Sequence, residues 1–123
     1  MGRFGRDKDA DAATSLAATR ERLDALTLDE LADGLLRSTF GPGAPGDGQI
    51  LPMPEILKPF DPTGSGHFAG LPHELWREVV WIVEEGLQVL EHRGLVVQGV
   101  AGGSQMYTSF RATRAGRAAL AEG

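Results

Sequence analysis

All seven prolines of this 123-residue chain fall between Pro42 and Pro72, and seven of its 17 glycines lie between Gly41 and Gly70. Proline has no backbone N–H to donate and breaks helix interiors, so regular structure is expected mainly outside this window. The clustering divides a chain of one domain's length into successive stretches. Residues 1–10 read as a frayed, solvated tail, 11–40 as two helices, 41–71 as a strap rich in proline and glycine, and 72–123 as a helix, a hairpin and a last helix.

The first helix, from about Asp11 to Leu26, is rich in alanine, with Leu16, Leu23 and Leu26 as its large apolar anchors. Alanine favours helix but buries little, so this helix depends on docking. Thr27-Leu28-Asp29-Glu30 then reads as a capping box, in which the Thr27 hydroxyl caps and Glu30 reaches back. Leu28, Leu31, Ala32, Leu35 and Leu36 follow at helical spacing, and Phe40 closes the segment before Gly41.

Residues 41–48 read as a flexible connector. Ile50, Leu51, Met53, Ile56, Leu57 and Phe60 are too apolar for a free linker. They predict an ordered strap over the core, with Pro54 in the first turn of a short helix ended by Pro59 and a turn over 61–66.

The last stretch is the most regular. Pro72 suits a helix start, apolar spacing holds to Arg93, and Gly94 is the stop. Leu95 to Ala101 and Met106 to Ala112 are strand-like, and Gly102-Gly103-Ser104-Gln105 between them is a hairpin signal. Thr113 caps a helix from Arg114 to Ala121.

The run Leu90-Glu91-His92-Arg93-Gly94-Leu95-Val96, the hairpin, and then Thr113-Arg114-Ala115-Gly116-Arg117 together resemble the winged-helix domains of MarR-type and PadR-type bacterial regulators. The resemblance covers about the last 50 residues and implies a mainly α fold with a small β-hairpin wing. It also implies a transcriptional regulator whose reading helix enters the major groove, while the absence of cysteine fits a reducing, cytoplasmic setting. Counting back from Gly94, the base-reading positions would be Val79, Val80, Trp81, Ile82, Val83, Glu84 and Glu85. Apolar side chains touch only a thymine methyl, and carboxylates are repelled by phosphate. Between His73 and Arg93 stand Glu74, Glu78, Glu84, Glu85 and Glu91 against Arg77 and Arg93. The chain as a whole carries 12 Lys+Arg against 17 Asp+Glu, a net charge of −5. Charge therefore disfavours nucleic acid as the partner and favours protein, and it gives no attraction to an anionic membrane. Arg111, Arg114 and Arg117 of the wing and last helix are the candidates for phosphate contact. The plainer reading is that they solvate a surface, with Arg117 steadying the C-terminal end of its helix.

At 100° per residue Trp76, Val79, Val80, Val83, Leu87 and Leu90 share one face, with Leu75, Ile82 and Val89 beside them. The arc is about 180°, wider than a surface helix needs. Either core packing accounts for it, or the helix is also covered by the strap or a second subunit. Trp81 falls in the opposite, polar arc, among Arg77, Glu84, Glu85, Gln88 and His92, with Arg77 placed to stack on the indole. A tryptophan ringed by polar groups has the composition of a binding hot spot. Alternatively the strap covers it. Trp81, Arg77, Glu85, Gln88 and His92 are the candidate protein-interaction residues.

Catalytic motifs fail one by one. There is no cysteine, which removes thiolate chemistry and disulfides. His73-Glu74-Leu75-Trp76-Arg77 begins like a zinc-protease HExxH, but Arg77 stands where the second histidine must be. His67 and His73 have no third ligand in register, and Ser65 lacks both the nucleophile-elbow spacing and a supporting Asp–His pair. The glycines of 41–48 lack a Gly-Lys-Ser/Thr ending and carry Asp47, which would repel phosphate. Glu84 and Glu85 point about 100° apart, so they do not form an acid–base pair across a cleft. No apolar run approaches a bilayer span, the basic start has no apolar segment behind it, and Gly2 lacks the Ser or Thr that myristoylation wants, finding Arg6. The expectation is a non-catalytic, cofactor-free interaction module that associates with itself. A DNA-binding regulator using the wing arginines is the alternative, and a small-ligand sensor with an apolar pocket between strap and helix is a third reading.

Overall fold

The computed structural model describes residues 3–63, 72–101 and 107–122. The fold is mainly α with a small antiparallel sheet, as the sequence predicts. In chain order it comprises α1 (Arg3–Asp24), α2 (Leu28–Phe40), β1 (Leu51–Pro52), α3 (Met53–Leu57) with a 3-10 turn (Lys58–Phe60), α4 (His73–His92), β2 (Val96–Ala101), β3 (Tyr107–Ala112) and α5 (Arg114–Glu122). One apolar cluster draws on α1, α2, α3, α4 and the sheet, with Leu16, Leu35, Ile56, Val79, Val83, Leu87 and Leu90 at its buried centre.

Helix α1 begins at Arg3, so most of the stretch expected to be a tail is helical. Helix propagation adds one hydrogen bond per residue once a nucleus is docked, and no proline interrupts residues 3–24. Leu16 and Leu23 anchor it in the core. Leu26 does not: it lies beyond the helix end and is 38% exposed. The capping box of α2 is present in full. The Glu30 amide donates to Thr27 Oγ1 at 3.1 Å, and the Thr27 amide donates to Glu30 Oε1 at 3.0 Å. Of the predicted apolar face, Leu31, Ala32, Leu35, Leu36 and Phe40 are buried, whereas Leu28, in the first turn, turns outward.

Residues 41–48 are a chain of tight turns in place of the expected flexible connector. The Gly46 amide donates to the Thr39 carbonyl at 2.8 Å, the Asp47 amide to the Ala44 carbonyl at 3.0 Å, and Asp47 Oδ2 accepts the Gly43 amide at 3.0 Å. The strap that follows contributes an unforeseen third strand. Leu51 pairs with Phe110 and Pro52 with Ser109, giving the sheet order β1-β3-β2. Pro52 is tolerated because β1 is an edge. Helix α3 carries Pro54 in its first turn as predicted, and seats Ile56 and Leu57 in the core. Asp61 is buried and accepts the amide and hydroxyl of Thr63 at 2.8 and 2.6 Å, which forms the start of the predicted turn; its residues 64–66 lie outside the described ones, as does the hairpin tip 102–105.

Helix α4 is the central strut. It packs against α1, α2 and β2, and its whole apolar arc is accounted for within the chain. Val79, Val83, Leu87 and Leu90 are buried, and Leu75, Trp76, Val80, Ile82 and Val89 are partly buried against the same core. Gly86 sets how close α2 comes: a Cβ there would collide with Leu35 Cδ1 and lie 3.0 Å from Leu31 Cγ. The helix ends in a Schellman motif. Gly94 takes a φ of 71°, its amide donates to the Glu91 carbonyl, and the Leu95 amide donates to the Leu90 carbonyl, each at 2.9 Å.

Candidate functional site

Because α4 turns its apolar side inward, its other side presents an unbroken row of polar groups. Arg77, Trp81, Glu84, Glu85, Gln88, Glu91 and His92 are all exposed. The structure therefore brings the five candidate interaction residues, Arg77, Trp81, Glu85, Gln88 and His92, onto one solvent-facing stripe. Trp81 is 56% exposed, and among the described residues no segment covers it as the strap reading required. The Arg77 guanidinium carbon lies 5.9 Å from the centroid of the indole, at the outer limit of a cation–π contact. An Arg77 nitrogen is also 2.9 Å from His73 Nε2, which must accept because guanidinium has no lone pair to offer. Arg77 thus both replaces the second histidine of the zinc motif and occupies the ring nitrogen of the first.

Both ends of the stripe are braced. Arg93, just past the C-terminal end of α4, bonds Asp29 and sits 3.6 Å from Asp33 on α2, and Arg20 of α1 pairs with Glu78 at 3.0 Å. These pairs are partly exposed and each contributes little stability, but they neutralise charge beside the stripe. Leu28, 54% exposed at the start of α2, flanks the C-terminal half of the stripe and lines a shallow depression with Glu85, Gln88, Val89 and His92. The sequence pattern gave no sign of Leu28 as a surface group, since its spacing matches the core face of α2.

Of the seven positions expected to read bases, Val79 and Val83 are fully buried, Val80 and Ile82 are partly buried, and Trp81, Glu84 and Glu85 alone are exposed. Apolar side chains therefore do not dominate the exposed surface: carboxylates and one indole do. A groove of about 680 Å³ lies between the strap and α4, with Leu57, Leu87 and Phe110 in its floor and Glu84 and Glu91 at its rim. This is the place expected for an apolar pocket, but its rim is acidic.

The wing arginines are split. Arg111 and Arg117 line one cleft beside Gly46, Gly48 and Gln49, while Arg114 does not line it. All three are exposed. Arg117 is the fourth residue of α5 and stands near its N-terminal end, so it cannot steady the C-terminal end as expected; the macrodipole there disfavours a cation. No group of three or more His, Asp or Glu placed to hold a metal occurs among the described residues, of which His67 is not one. No helix among the described residues is long and apolar enough to cross a membrane.

Compared with protein-family models, with curated proteins and with solved structures, the chain matches none.

Proposed function

We propose that this chain is a non-catalytic, winged-helix-like protein-interaction module that associates with itself through the exposed stripe of α4. The exposure of Trp81, with the Arg77 guanidinium carbon 5.9 Å from its ring centroid, carries this reading. An indole left in water by an otherwise consistent core, ringed by polar groups and flanked by Leu28, has the make-up of an interface centre. The order helix, strand, helix, helix, hairpin from α2 onward, with strand order β1-β3-β2, supports the winged-helix reading. The acidity of α4 argues against the major groove as its destination. Light scattering over a range of concentrations tests the proposal. A mass that rises with concentration, and ceases to rise in Trp81→Ala, is expected; a strict monomer at every concentration sinks self-association.

A regulator that holds DNA through its wing is the second reading, supported by the convergence of Arg111 and Arg117 on one cleft. Phosphate-driven affinity for random duplex must fall steeply with salt. Salt-dependent binding that disappears when Arg111, Arg114 and Arg117 are all replaced by alanine would favour it over the first.

A further inference from the structure

We infer that two copies pair through α4 in an antiparallel, two-fold arrangement centred on Trp81, with Arg77 of each copy facing Glu85 of the other. The inference rests on the self-association proposed above and gives it a geometry. In an isologous contact the same patch serves both sides, so the patch must complement itself. About a two-fold axis at Trp81, the residue four before it meets the residue four after it. Those are Arg77 and Glu85, of opposite charge, both exposed and both within about 40° of the Trp81 direction. Two ion pairs would then flank one indole–indole contact. One step further out Glu74 meets Gln88, a carboxylate against an amide donor. The like-charged opposition of Glu78 and Glu84 is relieved because Arg20 lies 3.0 Å from Glu78 and its charge is partly spent there.

Two competing arrangements are repulsive. A parallel pair sets Arg77 beside Arg77 and Glu85 beside Glu85. An antiparallel pair shifted one turn toward the C-terminus brings Glu84 and Glu85 against each other. Charge therefore selects direction and opposes a shift toward the C-terminus, as it does between coiled-coil partners. A single helix pair is a small interface, so the dimer is weak, with dissociation on the order of micromolar to hundreds of micromolar.

Sedimentation equilibrium on the full chain at low salt tests this, with thermal melts confirming that each variant folds. Arg77→Glu alone and Glu85→Arg alone should each weaken dimerisation roughly tenfold or more, since each turns two attractions into two repulsions. An equimolar mixture of the two should pair again, because every facing position then holds opposite charges. The double variant carrying both changes should also dimerise like the parent. If the parent dimerises but the single variants do so equally well, this geometry is wrong while self-association stands. If the parent is monomeric up to roughly millimolar, both fail together.

Discussion

The hydroxyl of Thr113 lies 2.5 Å from the carbonyl oxygen of Gly94, to which it donates, nineteen residues back along the chain. Thr113 Oγ1 in turn accepts the Gly116 amide at 3.0 Å, and the Thr113 amide donates to the Leu95 carbonyl at 3.0 Å. One side chain therefore caps α5 and fastens it to the turn that ends α4. Gly116 belongs to the same joint, since a Cβ there would collide with the Leu95 carbonyl oxygen. Thr113→Val keeps the volume and removes both hydroxyl bonds, and should cost about 1–2 kcal/mol in urea unfolding. Thr113→Ser should cost much less. Equal losses in both variants would show that the methyl, not the hydroxyl, matters.

Gly86 and Leu35 predict a reversal of sign. In an exposed helix, Gly→Ala stabilises by about 1 kcal/mol. Here the added methyl meets Leu35 Cδ1, so Gly86→Ala should instead destabilise by roughly 1–3 kcal/mol. Combining it with Leu35→Ala should cost less than the sum of the single changes, because the second opens space for the first. Strict additivity in a double-mutant cycle would show that the two side chains do not share that space.

These joints show what was legible in the sequence. The motifs that suggested a winged helix, Arg93-Gly94-Leu95 and Thr113 to Gly116, are the residues that lock α4, the sheet and α5 together, so they speak for the fold and are silent on the partner. The capping box, the span of α4 and the short helix with Pro54 in its first turn are readable because each rests on local chemistry. Strand β1 was not readable: a two-residue edge strand containing Pro52 has no periodicity, and the register with Phe110 and Ser109 depends on tertiary contact. The turns of 41–48 are not legible as ordered, because composition reports glycine and proline but not the hydrogen bonds they make. In the candidate site, helical phase placed Arg77, Trp81, Glu85, Gln88 and His92 together correctly. It could not show that Val79 and Val83 are fully enclosed, because that depends on where α1 and α2 dock.

Acid should weaken the start of α2. The Thr27 backbone amide, followed by the Thr27 side chain, holds the Glu30 carboxyl below the ordinary glutamate range. A group whose folded value is lowered stabilises the fold above its unfolded value, and that contribution is lost as pH falls through the folded value. The parent should therefore lose stability below the ordinary glutamate range, and Glu30→Gln should show a shallower loss over the same interval. Parallel pH profiles of the melting temperature in the two proteins would rule out a role for this carboxylate.

Arg117 stands in the first turns of α5, where no acidic residue offsets the positive end of the helix dipole. Arg117→Glu should stabilise the fold by about 0.3–1 kcal/mol, more at low salt than at high. A stability gain accompanied by loss of binding to duplex DNA would mark the arginine as kept for an anionic partner. Destabilisation would mean that its contacts in the cleft beside Gly48 outweigh the dipole.

Trp76 and Trp81, the two tryptophans, lie five residues apart on α4 with different surroundings: Trp76 is partly buried against the core, and Trp81 is 56% exposed. Trp81→Ala removes a largely solvated ring and gains helix propensity, so unfolding free energy should change by less than about 1 kcal/mol. Trp76→Ala removes core contact and should cost more. Fluorescence can then follow the exposed ring alone. In a Trp76→Phe background Trp81 is the sole tryptophan, and its emission at low concentration should be red and readily quenched by iodide. As concentration rises, pairing across α4 takes the indole out of water, so the emission should shift to the blue and quenching should fall. The same series with Arg77→Glu added should stay red and quenchable throughout. If quenching of Trp81 is independent of concentration while the mass of the particle doubles, the copies meet somewhere other than this stripe.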